Sequence, residues 1–360
     1  FPGACHRSSL TNKEVTEVDM AKGEYAVFDH LVEELSCIRL EAGRTFTAGF
    51  CKSMVACGDY LYLMVYNEDG HAVFVYERSG RLVREIVFHD IFPLSACLVE
   101  PERKELWIVS SLRVLNRYEA DGAFLGRDTL PFPCAAMAVA GDGAYLVYDG
   151  NINKEWSHSI ALSSLTSVEG YFLPKPGAAQ VNTSRSLFAP DAAGGCFVQL
   201  PYNDTIYYYN PETKTMKPHY HLDFHGDFLT RHQFPPQGFT DREMSEIISK
   251  RTYIHATYSF CLASGRLFFK PEGKRNDLCA IHLADHSLLF FDCLFDRYPL
   301  KTYNPFAGSD AEHLYAVVKE SDLVQYFRTN ASTYPAIRQL LPSLKTDGED
   351  TVLLVIKIKE

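Results

Sequence analysis

The chain lacks the features that mark nucleic-acid-binding and membrane-spanning proteins. It contains 35 Lys and Arg against 45 Asp and Glu, which gives a formal net charge of −10, and no basic stripe stands out. Because polyanions bind to clustered positive charge, this balance disfavours a nucleic-acid partner. No apolar run approaches the roughly 18 residues that a spanning helix needs. Any membrane attachment is therefore expected through a lipid only.

The cysteine spacing and the lack of catalytic motifs argue against several kinds of functional site. The ten cysteines are irregularly spaced without a C-x-x-C pair, which disfavours structural zinc. Four of them lie in apolar runs, where a thiol behaves as a small hydrophobic side chain: Cys196, Cys261, Cys279 and Cys293. The sequence leaves open whether one or two disulfides form in an oxidising compartment. The sequence predicts no metal site and no cofactor, and no catalytic residue can be named.

What the chain does contain is a repeat. Residues 73–83 and 115–125 each consist of an apolar run, a polar turn with a glycine and a second apolar run. The two glycines, Gly80 and Gly122, are 42 residues apart, and weaker copies follow at residues 206–216 and 280–290. A return of that length with a hairpin in each copy is typical of a β-propeller blade.

The number of blades follows from short strands that come after Gly, Asp or Ser turns. There are six of them, interpreted as the inner strands of the blades, within residues 58–63, 103–108, 141–148, 194–199, 264–269 and 310–317. Blades of about 40–45 residues then use most of the chain. The fold class predicted is all-β, a six-bladed β-propeller. Short helical insertions are predicted in the late blades, at residues 241–251, where Asp241 is a suitable N-cap, and at residues 321–344.

The domain organisation predicted is a tail or linker over residues 1–30 and a single propeller over residues 31–360. The C-terminal residues 351–359 and the N-terminal residues at about 35–41 both have strand-like sequences. An open propeller would expose two unpaired strand edges, so a terminal strand usually completes the last blade. We therefore expect the N-terminal strand to be the outer strand of blade six.

These features resemble the six-bladed β-propeller family of Bacteroidetes, whose members are mostly predicted lipoproteins of unknown function. The resemblance rests on the strand at residues 38–41, the aromatic hairpins with glycine turns, the insertion that ends in residues 253–255, and the closing residues 350–359. It implies an extracytoplasmic protein, in the periplasm or at the cell surface. Gly3-Ala4-Cys5 matches the end of a lipobox, so Cys5 is a candidate for lipidation; the alternative is that Cys5 has no such role.

Two loops and one isolated tyrosine are candidates for ligand binding. The long segment 224–239 contains Arg231, His232 and Gln233 beside two prolines, and is a candidate lid or a clamp that covers a blade face. Trp156 follows a polar loop, where an exposed indole could stack on a sugar or else cover a blade edge. Tyr202 follows a predicted inner strand and either reaches the channel mouth or belongs to a simple hairpin.

A cluster of histidines has two interpretations, a metal site and the solvated face of a strand. His219 and His221 are two residues apart, so they share one face of a strand, and with Asp223 they have ligand chemistry suitable for a metal. His225 follows closely. The alternative, which the sequence favours, is the solvated face of an outer strand far from the propeller axis.

Two functions from different classes remain. The favoured one is a non-catalytic extracytoplasmic binding or scaffold propeller, expected to be a monomer, that holds a glycan, peptide or protein. The alternative is a lactonase-like hydrolase or lyase with a metal in the central channel. Such an enzyme needs carboxylates or histidines from several blades that converge on the axis, and the predicted inner strands show no repeated acid.

Overall fold

The strands form six sheets arranged as blades around an axis, so the predicted six-bladed β-propeller is confirmed. The computed structural model describes residues 15–42, 51–67, 70–89, 94–100, 102–141, 143–150, 156–175, 187–229, 241–274, 277–291, 305–330, 344–345 and 350–360.

Strands occur in chain order and fill one blade after another. The N-terminal strands are β1 (Thr16–Asp19), β2 (Glu24–Ala26) and β3 (Val32–Leu40). Blade one contains β4 (Cys51–Cys57), β5 (Tyr60–Asn67), β6 (Gly70–Glu77) and β7 (Leu82–Phe88). Blade two contains β8 (Ala96–Glu100), β9 (Glu105–Ser110), β10 (Val114–Tyr118) and β11 (Phe124–Thr129). Blade three contains β12 (Ala136–Val139), β13 (Tyr145–Tyr148), β14 (His158–Ser163) and β15 (Val168–Pro174).

The later blades repeat the pattern and recruit the N-terminal strands. Blade four contains β16 (Phe188–Pro190), β17 (Cys196–Gln199), β18 (Thr205–Asn210) and β19 (Thr215–Asp223), followed by β1. Blade five contains β20 (Ala256–Ala263), β21 (Arg266–Glu272), β22 (Leu278–His282) and β23 (Leu288–Phe291), followed by β2. Blade six contains β24 (Gly308–Ser309), β25 (His313–Lys319) and β26 (Thr351–Ile358), followed by β3.

The six strands interpreted as inner strands are in fact the second strands of their blades. The first strands, β4, β8, β12, β16, β20 and β24, contact one another in sequence around the axis, and β24 contacts β4 to close the circle. The second strands have the stronger apolar pattern because both of their faces are buried between blades. Each innermost strand lines the channel with one edge. These strands are shorter and mix polar with apolar residues, so they have no pattern by which the sequence analysis could recognise them.

The core consists of six apolar clusters, one between each pair of neighbouring blades. On β5, Leu61 and Leu63 pack in the cluster shared with blade six, whereas Tyr62 and Met64 pack in the cluster shared with blade two. Successive side chains of a strand point to opposite faces of its sheet, so an uninterrupted apolar run serves two interfaces. The burial of both faces explains why the second strands are apolar throughout, which is the pattern that revealed the repeat in the sequence.

Blade six is completed by the N-terminal strand. β3 pairs antiparallel with β26 along its whole length, from Leu40 opposite Thr351 to Val32 opposite Ile358. Blade one then contacts this strand, since the backbone N–H of Glu41 donates to the carbonyl of Gly80 at 2.9 Å. The ends of the chain therefore meet in one sheet.

The N-terminal segment also adds strands to two other blades. β1 pairs in parallel with β19 and β2 pairs in parallel with β23. The described part of the predicted tail, residues 15–30, thus runs along the outer edges of blades four and five before β3 joins blade six. The strands β1 and β2 have only four and three residues, which is too short for an apolar alternation that a sequence pattern could detect.

Two helices interrupt the strands of the late blades. Helix α1 (Asp241–Lys250) precedes blade five, and helix α2 (Glu320–Asn330) lies between β25 and β26. Glu320 is fully buried, and its carboxylate accepts a hydrogen bond from Arg39 of β3 at 2.6 Å. Within the described ranges, no helix is long and apolar enough to cross a membrane.

Candidate functional site in the central channel

The innermost strands enclose a cavity of about 290 Å³ on the propeller axis. All six blades contribute to its wall, which is made mainly of alanine, valine, leucine, methionine and phenylalanine side chains. This volume lies close to the lower end of the range of about 300–1,000 Å³ that is typical of small-molecule sites. An apolar wall of this kind suits a small, largely apolar ligand.

A β-bulge places a lysine in that wall. In the pairing of β4 with β5, Cys51 lies opposite Val65 and Ser53 lies opposite Met64, so Lys52 is the extra residue. A bulge bends its strand and re-aims a side chain, which is why bulges are common beside functional sites. Lys52 lines the cavity together with its neighbour Ser53.

The surroundings of Lys52 change its acid–base behaviour. Its Nζ donates a hydrogen bond to the backbone carbonyl of Leu94, which precedes β8, at 2.5 Å. Burial lowers the pKa of Lys52 to about 8, because an ammonium loses its water shell when it is surrounded by apolar groups. Most of the amine is still protonated at pH 7, so the cavity carries a positive charge.

A second bulge, in blade five, shapes another part of the wall. The register of β20 against β21 shifts between Tyr258 and Cys261, and Ser259 has a φ of +54°. Its hydroxyl accepts a hydrogen bond from the backbone N–H of Phe306 at 3.2 Å, which holds β20 beside the chain that enters β24. The bulge brings Phe260 and Cys261 to the cavity.

The thiols of the channel are not reactive groups. Cys97 of β8 and Cys261 of β20 both line the cavity. Burial raises the pKa of each thiol to about 12. Since the thiolate is the nucleophile and metal ligand, both groups are inert small side chains at neutral pH.

Carboxylates are not part of this wall as far as the structure describes it. No Asp or Glu is among the described residues that line the cavity. In the described parts of the chain, no group of three or more His, Cys, Asp and Glu side chains is arranged to hold a metal ion.

The candidate ligand-binding residues from the sequence do not come together in this cavity. Arg231, His232 and Gln233 lie outside the described residues, as does the lipidation candidate Cys5. A sugar-stacking role would require an exposed indole, but Trp156 is only 8% exposed. Its ring packs against Phe132 and Tyr171 with centroid separations of 5.6 Å.

Tyr202 lies in a buried polar cluster between blades four and five. It has a φ of +56° and is buried, and its N–H donates to the carbonyl of His255 at 2.9 Å. The imidazole of His255 lies 3.3 Å from the carboxylate of Glu272. Tyr202 does not line the cavity, and its contacts join the end of β17 to the chain that enters β20.

His221 of β19 and His225, which follows β19, hold the first N-terminal strand. The parallel pairing of β1 places Glu17 opposite His221, and the His221 ring lies 2.9 Å from the Glu17 carboxylate and 3.5 Å from that of Asp204. The hydrogen bond with Asp204, supported by Glu17, raises the pKa of His221 to about 9 against an opposing effect of burial. His225 lies 2.7 Å from Asp19 in the same way.

This arrangement predicts a pH-dependent contribution to stability. The pKa of His221 is raised from 6.5 to about 9, so its ion pairs stabilise the fold fully below pH 6.5 and are lost as the pH rises through about 9. Because the ring is 38% exposed, the contribution should be no more than about 1 kcal/mol. His221→Gln should lower the thermal midpoint by about 2–4 °C at pH 6 and leave it unchanged at pH 9.5.

The matched control for His221→Gln is His282→Gln on β22. This change removes a partly exposed imidazole that pairs with Asp285 and does not contact β1. Midpoints are measured by circular dichroism at both pH values. An equal loss for His221→Gln at pH 6 and pH 9.5 would show that the ring contributes by packing and not by charge.

Sequence reasoning missed Lys52, the charged residue of the channel. It lies in the stretch Cys51-Lys52-Ser53-Met54-Val55, immediately before the Gly58 turn. The signal that could have found it is positional: each strong second strand must be preceded by a weaker innermost strand, and a charged residue within such a strand is a candidate for the channel wall.

Comparison with known proteins supports the fold and goes no further. No family model matches the chain, and no curated protein sequence matches it. The solved structure of a predicted exported protein from Bacteroides fragilis is similar, with a TM-score of 0.73 and 17% sequence identity, over 96% of this chain and 100% of that one. A protein of unknown function from Bacteroides caccae matches with a TM-score of 0.43 and 11% identity, over 67% of this chain and 81% of that one.

Proposed function

We propose that this protein is an extracytoplasmic binding propeller that holds a small, largely apolar ligand in its central channel. The observation that carries the proposal is the cavity of about 290 Å³ that all six innermost strands line. Ligand sites are typically concave, mostly apolar and furnished with a few polar groups that fix orientation. The channel has this composition, with Lys52 as its charged group.

The chemistry of the wall favours a small apolar ligand over the glycan that the sequence analysis named among its candidates. A glycan presents hydroxyls, which need hydrogen-bond partners once they leave water. The cavity wall offers mainly side chains such as Met54, Val55 and Leu98, which offer hydroxyls almost no hydrogen bonds. A molecule with an alkyl or aromatic body gains free energy by burial against the same surface.

The extracytoplasmic location is part of the proposal. It is supported by the likeness in fold to a predicted exported protein from Bacteroides fragilis and by the resemblance of Gly3-Ala4-Cys5 to the end of a lipobox. Attachment to a membrane through a lipid on Cys5, in the periplasm or at the cell surface, is the corresponding prediction for the N-terminus.

The proposal predicts that filling the channel abolishes binding. Decanol, an apolar probe with a single hydroxyl, should bind the parent protein saturably in calorimetric titrations. Val99 of β8 lines the cavity, so Val99→Trp should reduce the affinity for decanol at least tenfold by occupying the space. The control is Val87→Trp on the outer strand β7, where Val87 is 43% exposed and a larger side chain meets solvent.

Thermal melts accompany these titrations, because an overpacked core loses stability and the binding result applies only to a folded variant. Unchanged affinity for decanol in a folded Val99→Trp protein would place the probe outside the channel. Equal losses in both variants would indicate a nonspecific effect and would also contradict the proposal.

A further inference from the structure

We propose that the first N-terminal strand is a strap that leaves blade four more readily as the pH rises, while the propeller stays closed. The strap consists of β1 (Thr16–Asp19) with its neighbours Val15 and Met20. This device is independent of the channel, so it goes beyond the proposed function. Three features support it: the short pairing of the strap, the histidines that hold it and the apolar surface that it covers.

The strap is attached by much less pairing than the strand that closes the ring. β1 has four residues and pairs only with Tyr220–Asp223 at the end of β19. β3, in contrast, pairs with the whole of β26. Without β1, blade four keeps the four strands β16 to β19, which is the number that blades one to three have. The strap can therefore open without breaking a blade.

Two histidines of blade four hold the two carboxylates of the strap. The His221 ring lies 2.9 Å from the Glu17 carboxylate, and the His225 ring lies 2.7 Å from that of Asp19. The two rings are 38% and 53% exposed, so they exchange protons with the solvent in the folded protein. A protonated imidazole attracts a carboxylate through its charge, whereas a neutral ring can only donate a hydrogen bond. Protonation therefore strengthens the attachment.

Two further carboxylates face these rings from blade four itself. Asp204, in the turn after β17, lies 3.5 Å from His221, and Asp223 of β19 lies 3.6 Å from His225. Both stay beside the rings when the strap leaves. Release therefore removes only the part of the attraction that the strap supplies.

Lys22 is the remaining charged group at this edge. Its Nζ lies 2.8 Å from the carboxylate of Asp19, which is three residues earlier in the chain. The pKa of Lys22 is raised by this hydrogen bond, so the ammonium stays protonated at neutral and mildly alkaline pH. Because both partners belong to the N-terminal segment, their pair can persist after release and adds no pH dependence of its own.

The sign of the pH dependence follows from the directions of the histidine pKa shifts. The hydrogen bond with Asp204, supported by Glu17 and opposed by burial, raises the pKa of His221 to about 9. The hydrogen bond with Asp19 raises the pKa of His225 above its ordinary value of 6.5. A group whose pKa is higher in the attached state stabilises that state at low pH and loses this effect as the pH rises through the attached-state value. The strap should therefore be held most firmly at pH 6 and least firmly near pH 9.5.

Release exposes apolar side chains that the attached strap covers. Val18 and Met20 are 4% and 1% exposed and belong to the apolar cluster that contains Leu222, Phe224 and Phe228. This contact holds the strap at every pH, so the released form is a minor state whose population changes with pH. Such a state is detected by a reporter that reacts only when the strap has left.

Val18→Cys supplies that reporter, because a thiol at this position is covered while the strap is attached. Labelling with iodoacetamide is measured at pH 6 and pH 9.5, and peptide mass spectrometry assigns the label to the introduced thiol. The rate is divided by that of Val15→Cys, since Val15 is already 37% exposed. This ratio cancels the pH dependence of thiol ionisation, because the thiolate is the reacting form at both positions.

The ratio of the two rates should rise at least about fivefold from pH 6 to pH 9.5. Glu17→Gln combined with Asp19→Asn, placed in both reporter backgrounds, should raise the ratio at pH 6 and remove most of its pH dependence. The matched control is Glu24→Gln on β2, which neutralises an exposed carboxylate of the same N-terminal segment outside the histidine pairs and should leave the ratio unchanged. A ratio that is constant with pH, or that rises equally in the double variant, would overturn the inference.

Cys196 of β17 shows in the same samples whether the release is local. Its thiol is fully buried in blade four, so it reacts only when the blade itself opens. Cys196 should stay unlabelled while the introduced thiol reacts. Labelling of Cys196 in step with the reporter at pH 9.5 would mean that the blade unfolds together with the strap, which would also overturn the inference.

Discussion

Deletion of residues 1–41 should lower the thermal midpoint by at least about 10 °C, and by clearly more than deletion of residues 1–20 does. The longer deletion removes β3, which is the outermost strand of blade six and pairs with β26 along its whole length. Val32 and Leu40 at the ends of β3 are 6% and 4% exposed and pack in the clusters on either side of blade six. Burial of each such side chain contributes about 1.5–3 kcal/mol.

The loss of β3 has two further consequences. It removes Arg39, the partner of the fully buried Glu320 carboxylate, and a buried charge without its partner destabilises a fold strongly. It also leaves the edge of β26 unpaired, which invites aggregation. The shorter deletion removes β1 from the outer edge of blade four together with the buried side chains of Val18 and Met20, but it leaves β3, Arg39 and the paired edge of β26 in place.

The two truncated proteins are compared by circular dichroism melts, with size-exclusion chromatography to detect aggregation. Residues 21–41 are the only difference between them, so the comparison isolates β2 and β3. Equal midpoints for the two proteins would mean that β3 is dispensable and that blade six is stable with three strands.

The sequence was informative where both faces of a strand are buried. Runs such as Leu61–Leu63 serve two interfaces at once, so every position is apolar and the strand stands out from the turns around it. The hairpins that follow these strands repeat for the same reason. Six strong second strands were sufficient to count six blades, and that prediction is confirmed.

The sequence was uninformative where a strand is short, half-buried or positioned only by tertiary pairing. β24 has two residues, Gly308 and Ser309, and no pattern can be seen in two residues. β1 and β2 are held by parallel pairing to strands more than 200 residues away in the chain. Lys52 was overlooked because a single lysine shortly before a turn is common on protein surfaces. It lies beside a cavity only because the six blades close around the propeller axis.

The glycines of the repeat have a structural explanation that leads to the second large prediction. Gly80 and Gly122 occupy equivalent turns of blades one and two, with φ angles of +90° and +83°. Each turn packs against the preceding blade. A Cβ on Gly80 would lie 1.9 Å from the backbone carbonyl oxygen of Arg39 in β3, whereas a Cβ on Gly122 would meet the side chains of Arg84 and Val75 at 2.9 and 3.0 Å.

Gly80→Ala should therefore be far more damaging than Gly122→Ala. Both changes force an alanine into a left-handed backbone conformation, at a cost of about 1–2 kcal/mol. At Gly122 the neighbours are side-chain atoms, and the Arg84 side chain is flexible, so little more is expected. At Gly80 the obstacle is backbone, so either the turn or β3 must move, and we expect a total loss of about 3 kcal/mol or more.

Urea denaturation of the parent protein and of both variants measures this difference, because the two alanines share the backbone penalty and differ only in what the new methyl group meets. The comparison reports on the same contact as the truncation, since Gly80 packs on β3 and its carbonyl accepts the N–H of Glu41. A larger loss for Gly122→Ala, or equal losses, would show that the turn of blade one yields at little cost. The turn of blade one would then contribute little to holding the N-terminal strand, and the pairing of β3 with β26 would be the main contact that keeps this strand in place.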